Sequence, residues 1–218
     1  MERHRLAVVI PAFNEEDTIG SVVKSVKPYG DPIVVDDCST DLTKKIAEEN
    51  GAIVVNHEKN SGYDNTLNSG IERAISLGYR YAITFDADGQ HEPEFLKKYL
   101  DFLEGGYDLV TGIRPEYPRF SEQIYAIYTK LRYGWKDPLC GMKGYNLDLI
   151  KKRGYFSSYQ SIGTEFTRYC FRKKFKVMQI PIPIYNRQDE NPRFGRKLRA
   201  NYKIIASIFQ GAFIRSGK

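Results

Sequence analysis

Apolar residues in the first half of the chain follow two alternating periodicities. Short β-branched runs predict strands, and segments in which apolar residues recur every three or four positions predict helices. The predicted strands span residues 6–10, 33–35, 53–55, 81–85 and 109–111. The predicted helices span residues 19–26, 43–50, 67–75 and 95–102. This alternation predicts an α/β fold with a mostly parallel sheet and helices on both of its faces.

The second half of the chain has a less regular pattern. Helices are predicted over residues 121–133, 162–174 and 198–214. Residues 177–184 predict a strand, and because Pro181 and Pro183 interrupt it, we expect this strand at an edge of the sheet. The helix predicted over residues 198–214 is amphipathic, with basic residues beside its apolar stripe. Three roles fit it equally: a membrane-surface helix, core packing, or contact with another subunit.

Length and composition predict one globular domain. The chain has 218 residues, of which 41% are hydrophobic and 28% are charged, and these values are typical of a soluble protein with a substantial core. The net charge of +6 favours an anionic partner, such as a nucleotide, a phosphorylated lipid or a membrane surface. Because no recognised RNA- or DNA-binding motif accompanies the basic residues, nucleic acid is not expected as a partner.

Cysteine usage and hydropathy predict the location of the protein. Cys38, Cys140 and Cys170 lie far apart, which argues against a disulfide framework or a zinc knuckle and favours a reducing cytoplasm. The longest nearly apolar segment, residues 204–214, is too short to span a bilayer. We therefore expect a cytoplasmic protein, located at the cytoplasmic face of a membrane if residues 198–214 bind lipid.

Four polar clusters each follow a predicted strand. They span residues 11–15, 36–39, 60–62 and 86–88. In open α/β sheets, ligands bind at the carboxyl ends of the strands. The four clusters are therefore predicted to line one edge of the sheet and to form one site.

The last of these clusters contains a candidate metal site. On an extended chain, alternate residues point the same way, so Asp86, Asp88 and Gln90 could offer oxygen ligands to one divalent cation. Such a cation binds well between one or two carboxylates and the phosphate oxygens of a substrate. The alternative is that Asp and Gly simply end the strand in a turn.

Motifs in this order resemble those of the family 2 inverting glycosyltransferases, which have the GT-A fold. The matching segments are residues 9–16 (VIPAFNEE), 34–41 (VVDDCSTD), 86–93 (DADGQHEP) and 112–114 (GIR), within a resemblance that spans about residues 6–197. The resemblance implies a Rossmann-like sheet with an antiparallel portion on the acceptor side. It also implies one GT-A domain over residues 1–218, with a nucleotide-sugar half (1–112), an acceptor half (113–197) and a C-terminal amphipathic helix (198–218).

The resemblance implies roles for particular residues on the donor side. The residues implied to bind the nucleotide sugar are Pro11, Ala12, Asn14, Glu15, Val35, Asp36, Asp37, Gly62, Asp86, Ala87, Asp88 and Arg193. Asp88 and Gln90 are implied to hold Mg²⁺ or Mn²⁺ on the diphosphate. Arg187 is an alternative to Arg193 as the late cation that contacts this diphosphate.

Residues 136–143 (KDPLCGMK) are most similar to the acceptor loop of the polyprenyl- and dolichyl-phosphate mannose or glucose synthases. In this loop, Cys140 stands where these enzymes have serine, and Met142 stands for an aromatic residue. The residues implied to contact the acceptor are Lys136, Cys140 and Lys143, and the implied catalytic residues are Asp86, Arg114 and Asp137.

The implied reaction is metal-dependent, inverting transfer of a hexose from a donor of the GDP-mannose or UDP-glucose type to a polyprenyl or dolichyl phosphate. The main alternative acceptor is a sugar hydroxyl of a cell-surface glycan, which requires a general base, either Asp137 or Glu165. Two distant alternatives are a sugar-phosphate nucleotidyltransferase and a non-catalytic nucleic-acid-binding module. The acidic loop at residues 11–16 opposes the first, because a triphosphate site is expected to have a Gly-rich basic loop.

Overall fold

The computed structural model describes residues 6–158, 161–185 and 204. Within these residues the chain forms seven strands and seven helices, which alternate except that the last two helices follow one another without a strand between them. Their bounds are β1 Leu6–Ala12, α1 Ile19–Val26, β2 Asp31–Asp36, α2 Thr43–Glu49, β3 Ile53–Asn56, α3 Tyr63–Ser76, β4 Tyr81–Thr84, α4 Phe95–Glu104, β5 Leu109–Ile113, α5 Phe120–Tyr133, β6 Lys143–Asn146, α6 Leu147–Arg153, α7 Glu165–Arg172 and β7 Val177–Pro181.

The strands form one sheet in the order β3-β2-β1-β4-β6-β5-β7. Strands β3, β2, β1 and β4 are parallel to one another, whereas β6 runs antiparallel to both of its neighbours, and β7 pairs in parallel with β5. The predicted mostly parallel sheet with an antiparallel portion is therefore confirmed. The strand that contains Pro181 lies at an edge, as the two prolines predicted.

Alternate residues of β1 face two separate cores. Val8 and Ile10 pack in the core under α1 and α4, while Ala7 and Val9 pack in the core under α3 and α6. All four are fully buried, and burial of each large apolar side chain contributes about 1.5–3 kcal/mol. Because both faces of the sheet are covered by helices, a ligand can approach only the ends of the strands or the edges.

The structure extends the first strand beyond its predicted end at Ile10. Pairing with β4 stops at Val9, whereas pairing with β2 continues through Pro11 to Ala12. The carbonyl of Ala12 accepts from Asp37 N on the β2 side, so the imide nitrogen of Pro11 faces the side where the β4 ladder has already ended. Proline therefore breaks no ladder bond, and β1 carries its loop two residues further toward the site.

Two elements of the second half were not predicted, and one is shorter than predicted. Strand β6 and helix α6 occupy residues 143–153, which lack a clear periodicity. Helix α7 begins at Glu165 because Ile162 and Gly163 have φ of +55° and +64°, in the left-handed region that cannot continue a helix. The helix predicted at the C-terminus lies outside the described residues, apart from Ile204, which is helical and buried.

Among the described residues, no helix has the length and apolar character that crossing a bilayer requires.

Candidate active site

The loops that follow β1 and β2 are joined by hydrogen bonds. Asn14 N donates to Ser39 Oγ at 2.9 Å, and Asn14 Oδ1 accepts from Thr40 N at 2.8 Å. Glu15 N donates to Thr43 Oγ1 at 2.7 Å. Asn14 has a φ of +53°, a left-handed conformation that asparagine adopts more readily than most residues. The structure thus brings two of the predicted donor-binding clusters together at one sheet edge.

Asp37 connects the third cluster to the second. Its carboxylate accepts from Ser61 N at 2.8 Å and from Gly62 N at 2.9 Å, so Asp37 fixes the loop that precedes α3. His57 Nδ1 lies 2.7 Å from Asp37 Oδ1, and His57 Nε2 lies 2.9 Å from Ser69 Oγ. No local sequence pattern indicates that His57 faces Asp37.

Asp36 has a buried oxygen that suits a ligand. The residue is 2% exposed, and its Oδ2 accepts from Ser39 N at 3.3 Å. Its Oδ1 has no hydrogen-bond partner within the described part of the chain. Since buried polar atoms are nearly always hydrogen-bonded, Asp36 Oδ1 is well suited to accept from a nucleoside donor group.

The other donor-side residues line the same strand ends. Pro11 of β1 is paired with Val35 of β2 in the sheet register. Both residues therefore contribute to the site through the position of their backbone. Ala12 and Ala87 are buried in the same core. Glu15 is 6% exposed.

Asp86 lies just beyond β4, against Gly141 of the predicted acceptor loop. Its Oδ2 is 3.1 Å from His91 Nε2, and its side chain is 31% exposed. Burial raises the pKa of Asp86, but the hydrogen bond from His91 and the charges of Lys143 and Arg114 outweigh it, so the pKa lies below its usual value. Asp86 is therefore an ionised carboxylate and a weak base.

Asp88 and Gln90 lie in a turn held by the segment after β7. Asp88 Oδ1 accepts from Gln90 N at 3.1 Å, and Gln90 Nε2 donates to the carbonyl of Tyr185 at 2.9 Å. Tyr185 N donates back to Gln90 O at 3.0 Å. The side-chain nitrogen of Gln90 thus has a partner. The side-chain oxygen of Gln90 is the atom that could bind a cation.

The side chains in this turn can hold a divalent cation only if substrate oxygens complete its coordination. Asp86 and Asp88 are partly exposed carboxylates two residues apart. Within the described residues, no three His, Cys, Asp or Glu side chains cluster as metal ligands. Mg²⁺ and similar ions commonly bind through one or two carboxylates, with phosphates and water completing the shell, so these residues fit such an ion.

The predicted acceptor loop, residues 136–143, is attached to the end of β4. Thr84 Oγ1 donates to Gly141 O at 2.6 Å and accepts from Lys143 N at 3.1 Å. A Cβ atom added to Gly141 would lie 2.0 Å from Asp86 Oδ2. The loop therefore approaches Asp86 so closely that only glycine fits at position 141.

We expect Gly141→Ala to lower turnover by about 10–100-fold, because the added methyl group must displace the carboxylate of Asp86, and small misplacements at a site cost this much. The fold should be retained, since the clash is with the end of one side chain. The measurement is the steady-state rate of sugar transfer, with the midpoint of urea unfolding as the test of folding. Gly154→Ala is a control for lost stability without a clash at the site: nothing lies within 4 Å of the added methyl group, but the φ of +91° strains alanine, so its unfolding midpoint should fall while its rate of transfer is retained. Equal rates in Gly141→Ala and in the unchanged chain would contradict the placement of Asp86.

Asp137 is fully buried in an ion-pair network. Its Oδ2 accepts from Arg114 N at 3.0 Å and Arg114 Nε at 2.8 Å, and its Oδ1 accepts from Arg114 Nη2 at 3.0 Å and Leu139 N at 3.2 Å. Arg114 Nη2 also contacts Glu122 Oε2 at 3.0 Å. The pKa of Arg114, which burial alone would lower, is raised by the hydrogen bond and charge of Asp137. Sequence patterns did not indicate Glu122 as part of this network.

Lys143 is a buried cation beside this network. It is 3% exposed, its Nζ donates to Gly163 O at 3.2 Å, and the same atom lies 5.9 Å from the centroid of the Trp135 ring. Burial lowers its pKa, although the nearby acidic groups oppose this effect. Asp64 secures this contact, because its carboxylate accepts from Gly163 N at 2.8 Å and from Ile162 N at 3.0 Å.

The structure places the remaining residues predicted for the acceptor side in different environments. Cys140 is fully buried, and burial raises the pKa of its thiol to about 12. Lys136 is exposed, with its backbone held by Gln179 and Tyr117. Glu165, the alternative base, is paired with Arg153 at 2.6 Å. Arg187 and Arg193 lie outside the described residues.

Comparisons with known proteins agree with this architecture. A family model described as "Glycosyl transferase family 2" matches residues 7–180. An uncharacterized protein of Methanocaldococcus jannaschii is 32% identical over 225 residues, which cover 95% of this chain and 92% of that protein. A "dolichyl-phosphate hexose transferase" of Haloferax volcanii is 29% identical over 85% of each chain.

A solved structure has the same fold. Glucosyl-3-phosphoglycerate synthase from Mycobacterium tuberculosis, crystallised with Mn²⁺, uridine diphosphate and phosphoglyceric acid, superposes with a TM-score of 0.78 at 21% identity. The superposition covers 99% of this chain and 81% of that one. Another crystal structure of this synthase contains Mg²⁺ and uridine diphosphate. The likeness establishes the GT-A fold for the present chain.

Proposed function

Since this chain belongs to glycosyl transferase family 2, we propose that it transfers a hexose from a nucleotide-diphosphate sugar to the phosphate group of a polyprenyl or dolichyl phosphate. The donor is of the GDP-mannose or UDP-glucose type, and the anomeric configuration is inverted. The reaction takes place in the cytoplasm, at the cytoplasmic face of a membrane. The acceptor class named for the Haloferax volcanii relative supports this proposal.

The observation that carries the proposal is the burial of Asp137. The carboxylate has no exposed area and is occupied by four hydrogen bonds from Arg114 and Leu139. A hydroxyl acceptor needs a general base within hydrogen-bond reach, and a carboxylate in this state cannot readily take a proton. A phosphate acceptor is already ionised near neutral pH and needs no base.

The charges on the acceptor side suit such an anion. Arg114 and Lys143 are cations that flank Asp86, and both contribute to its lowered pKa. The lowered pKa makes Asp86 a poor base for a hydroxyl group, and Glu165 is held by Arg153 and Ser158. In this proposal Asp137 orients the guanidinium of Arg114 and acts as a positioning residue.

The donor side supplies binding and orientation. Asp36 Oδ1 accepts a hydrogen bond from the nucleoside. Asp37 holds the loop around Gly62 beside the nucleoside. Asp88, with Gln90, holds Mg²⁺ or Mn²⁺ against the diphosphate, and Asp86 faces the donor sugar. When bound, the cation supplies Lewis-acid stabilisation of the charge that develops on the leaving diphosphate.

The proposed reaction is a single displacement. A phosphate oxygen of the acceptor forms a bond to the anomeric carbon, while the bond from that carbon to the donor's diphosphate breaks on the opposite face. The products are a glycosyl polyprenyl (or dolichyl) phosphate and a nucleoside diphosphate. No proton has to be removed from the nucleophile. The main contribution of the protein is therefore positioning and charge stabilisation.

A paired-acceptor assay tests the proposal. The full chain is incubated with labelled GDP-mannose or UDP-glucose and Mg²⁺ or Mn²⁺, together with either a polyprenyl phosphate or the polyprenol of the same length. Labelled lipid is expected only with the phosphate, and removal of the metal by a chelator should abolish it. Transfer to polyprenol, with none to the phosphate, would overturn the acceptor class.

A further inference from the structure

The outer face of α5 carries a continuous apolar stripe. Phe120, Ile124, Ile127 and Leu131 are 75%, 41%, 59% and 83% exposed. Their spacing of four, three and four residues places them on one side of a helix. Scattered exposed apolar residues are ordinary, whereas a contiguous patch of large side chains marks an interaction surface.

The opposite face of α5 is firmly packed, so the stripe is held outward. Tyr125 and Thr129 are fully buried, and Tyr125 OH is bonded to Thr164 Oγ1 at 3.1 Å and to Arg168 Nη2 at 2.6 Å. Glu122, also on the inner face, pairs with Arg114 and Arg119. These contacts fix the rotation of the helix about its axis.

The exposed charged residues on α5 and in the segment that follows it, up to Lys136, are all positive, and the exposed acid Glu116 precedes the helix. Lys130, Arg132 and Lys136 are exposed, and Glu122 is the one acidic residue between positions 119 and 136 of the sequence. Its side chain is 3% exposed. A helix with an apolar face, exposed cations and no exposed acid attracts a surface that is both apolar and negatively charged.

A cavity joins this surface to the acceptor loop. Its volume is about 350 Å³, and its walls include Ile113 and Ala126, together with Ile127 and Lys130 of the α5 face and Lys136 of the acceptor loop. The apolar walls suit a hydrocarbon chain, and the two lysines suit an anionic head group. The cavity therefore adjoins both the stripe, through Ile127, and the acceptor loop, through Lys136.

We propose that the outer face of α5 docks this enzyme onto the surface of an anionic lipid bilayer, with the adjoining cavity open to the lipid. The proposal rests on the proposed function, since a polyprenyl phosphate resides in a membrane and must reach the acceptor side from there. Docking through α5 places Lys130 and Lys136 at the depth of the lipid phosphates.

Charge argues against a second copy of the chain as the occupant. In a two-fold pairing of α5 faces, Lys130 and Arg132 of one copy would meet the same cations of the other. The stripe offers no exposed carboxylate to compensate them. A bilayer with anionic head groups supplies the opposite charge together with an apolar layer.

Vesicle flotation tests the docking surface. The full chain and a Phe120→Ser/Leu131→Ser variant, whose substituted residues lie on the stripe but do not line the cavity, are mixed with vesicles of phosphatidylcholine containing phosphatidylglycerol, or of phosphatidylcholine alone. The unchanged chain should bind the anionic vesicles more strongly, and the variant's partition coefficient should be at least about tenfold lower. Leu42→Ser is the matched control, because Leu42 is 55% exposed but lies at the start of α2, and it should bind as the unchanged chain does.

Two further measurements separate the possible outcomes. Transfer to a short, water-soluble isoprenyl phosphate should be equal in the variant and in the unchanged chain, whereas transfer to vesicle-embedded acceptor should fall with binding. Absence of any transfer by the unchanged chain would contradict the proposed function and leave the binding result standing. Equal vesicle binding by variant and unchanged chain would overturn the docking surface. So would a dimer in the unchanged chain that is absent in the variant by light scattering, or a urea midpoint lower in the variant by more than the helix propensity of serine explains, because the stripe would then be covered by protein.

Discussion

Asp88→Asn is expected to release nucleoside diphosphate at least about 100-fold more slowly than the unchanged chain, because it removes the charged ligand of the metal site proposed at Asp88 and Gln90. The described residues contain no cluster of three His, Cys, Asp or Glu side chains that could hold the ion instead. The measurement is diphosphate release from the donor that supports transfer, in the presence of polyprenyl phosphate, over a range of Mg²⁺ or Mn²⁺ concentrations. A higher metal concentration should recover part of the lost rate.

Asp101→Asn is the matched control for this substitution. It removes the same charge from an exposed position of α4, away from the strand ends, and should leave release unchanged. Urea unfolding should give similar midpoints for both variants, since Asp88 lies in a partly exposed turn. An unchanged rate of nucleoside diphosphate release in Asp88→Asn at limiting metal concentration would show that Asp88 does not bind the metal.

Arg114→Met is expected to lower the free energy of unfolding by about 3–5 kcal/mol, because it leaves buried carboxylates without their cation. Asp137 has no exposed area and Glu122 has 3%, so neither carboxylate can be well hydrated in the folded state. Arg119 still pairs with Glu122 at 2.9 Å. Most of the lost stability therefore comes from the unpaired carboxylate of Asp137. The free energy is measured by urea unfolding at neutral pH.

A double-mutant cycle separates the pair from the individual side chains. Asp137→Leu alone should also be strongly destabilised, since it leaves the Arg114 guanidinium largely buried. The Arg114→Met/Asp137→Leu double variant should lose less than the sum of the two single changes, because an apolar pair replaces the ion pair. Additive losses would show that the two side chains do not act as one unit.

The donor half could be predicted in considerable detail from local patterns. Short β-branched runs and helical periodicity correctly predicted β1 to β5 and the helices between them. The loops at the strand ends could be grouped because parallel strands direct their carboxyl ends to one edge. The structure adds the hydrogen bonds that join these loops, such as Asn14 to Ser39 and Asp37 to Ser61.

The acceptor half could be predicted less well, for a physical reason. Residues 143–146 (KGYN) have weak strand propensity, with Gly and Asn among them. They become β6 because β4 and β5 each offer an open edge, and the pairing partner of Lys143 is Thr84. Tertiary pairing overrides local preference here, and no local pattern contains that information.

The sequence by itself determined the alternation of elements, the sheet edge at which the polar clusters lie, and the family motifs, because each depends on neighbours within a few positions. Only the tertiary structure decided which partner each carboxylate has. Asp137 is neutralised by Arg114 across 23 positions, and Asp64 holds the loop at Gly163 across 99. The exposed face of α5 was decided in the same way, since a helix acquires an inner and an outer side only when the rest of the chain packs against it.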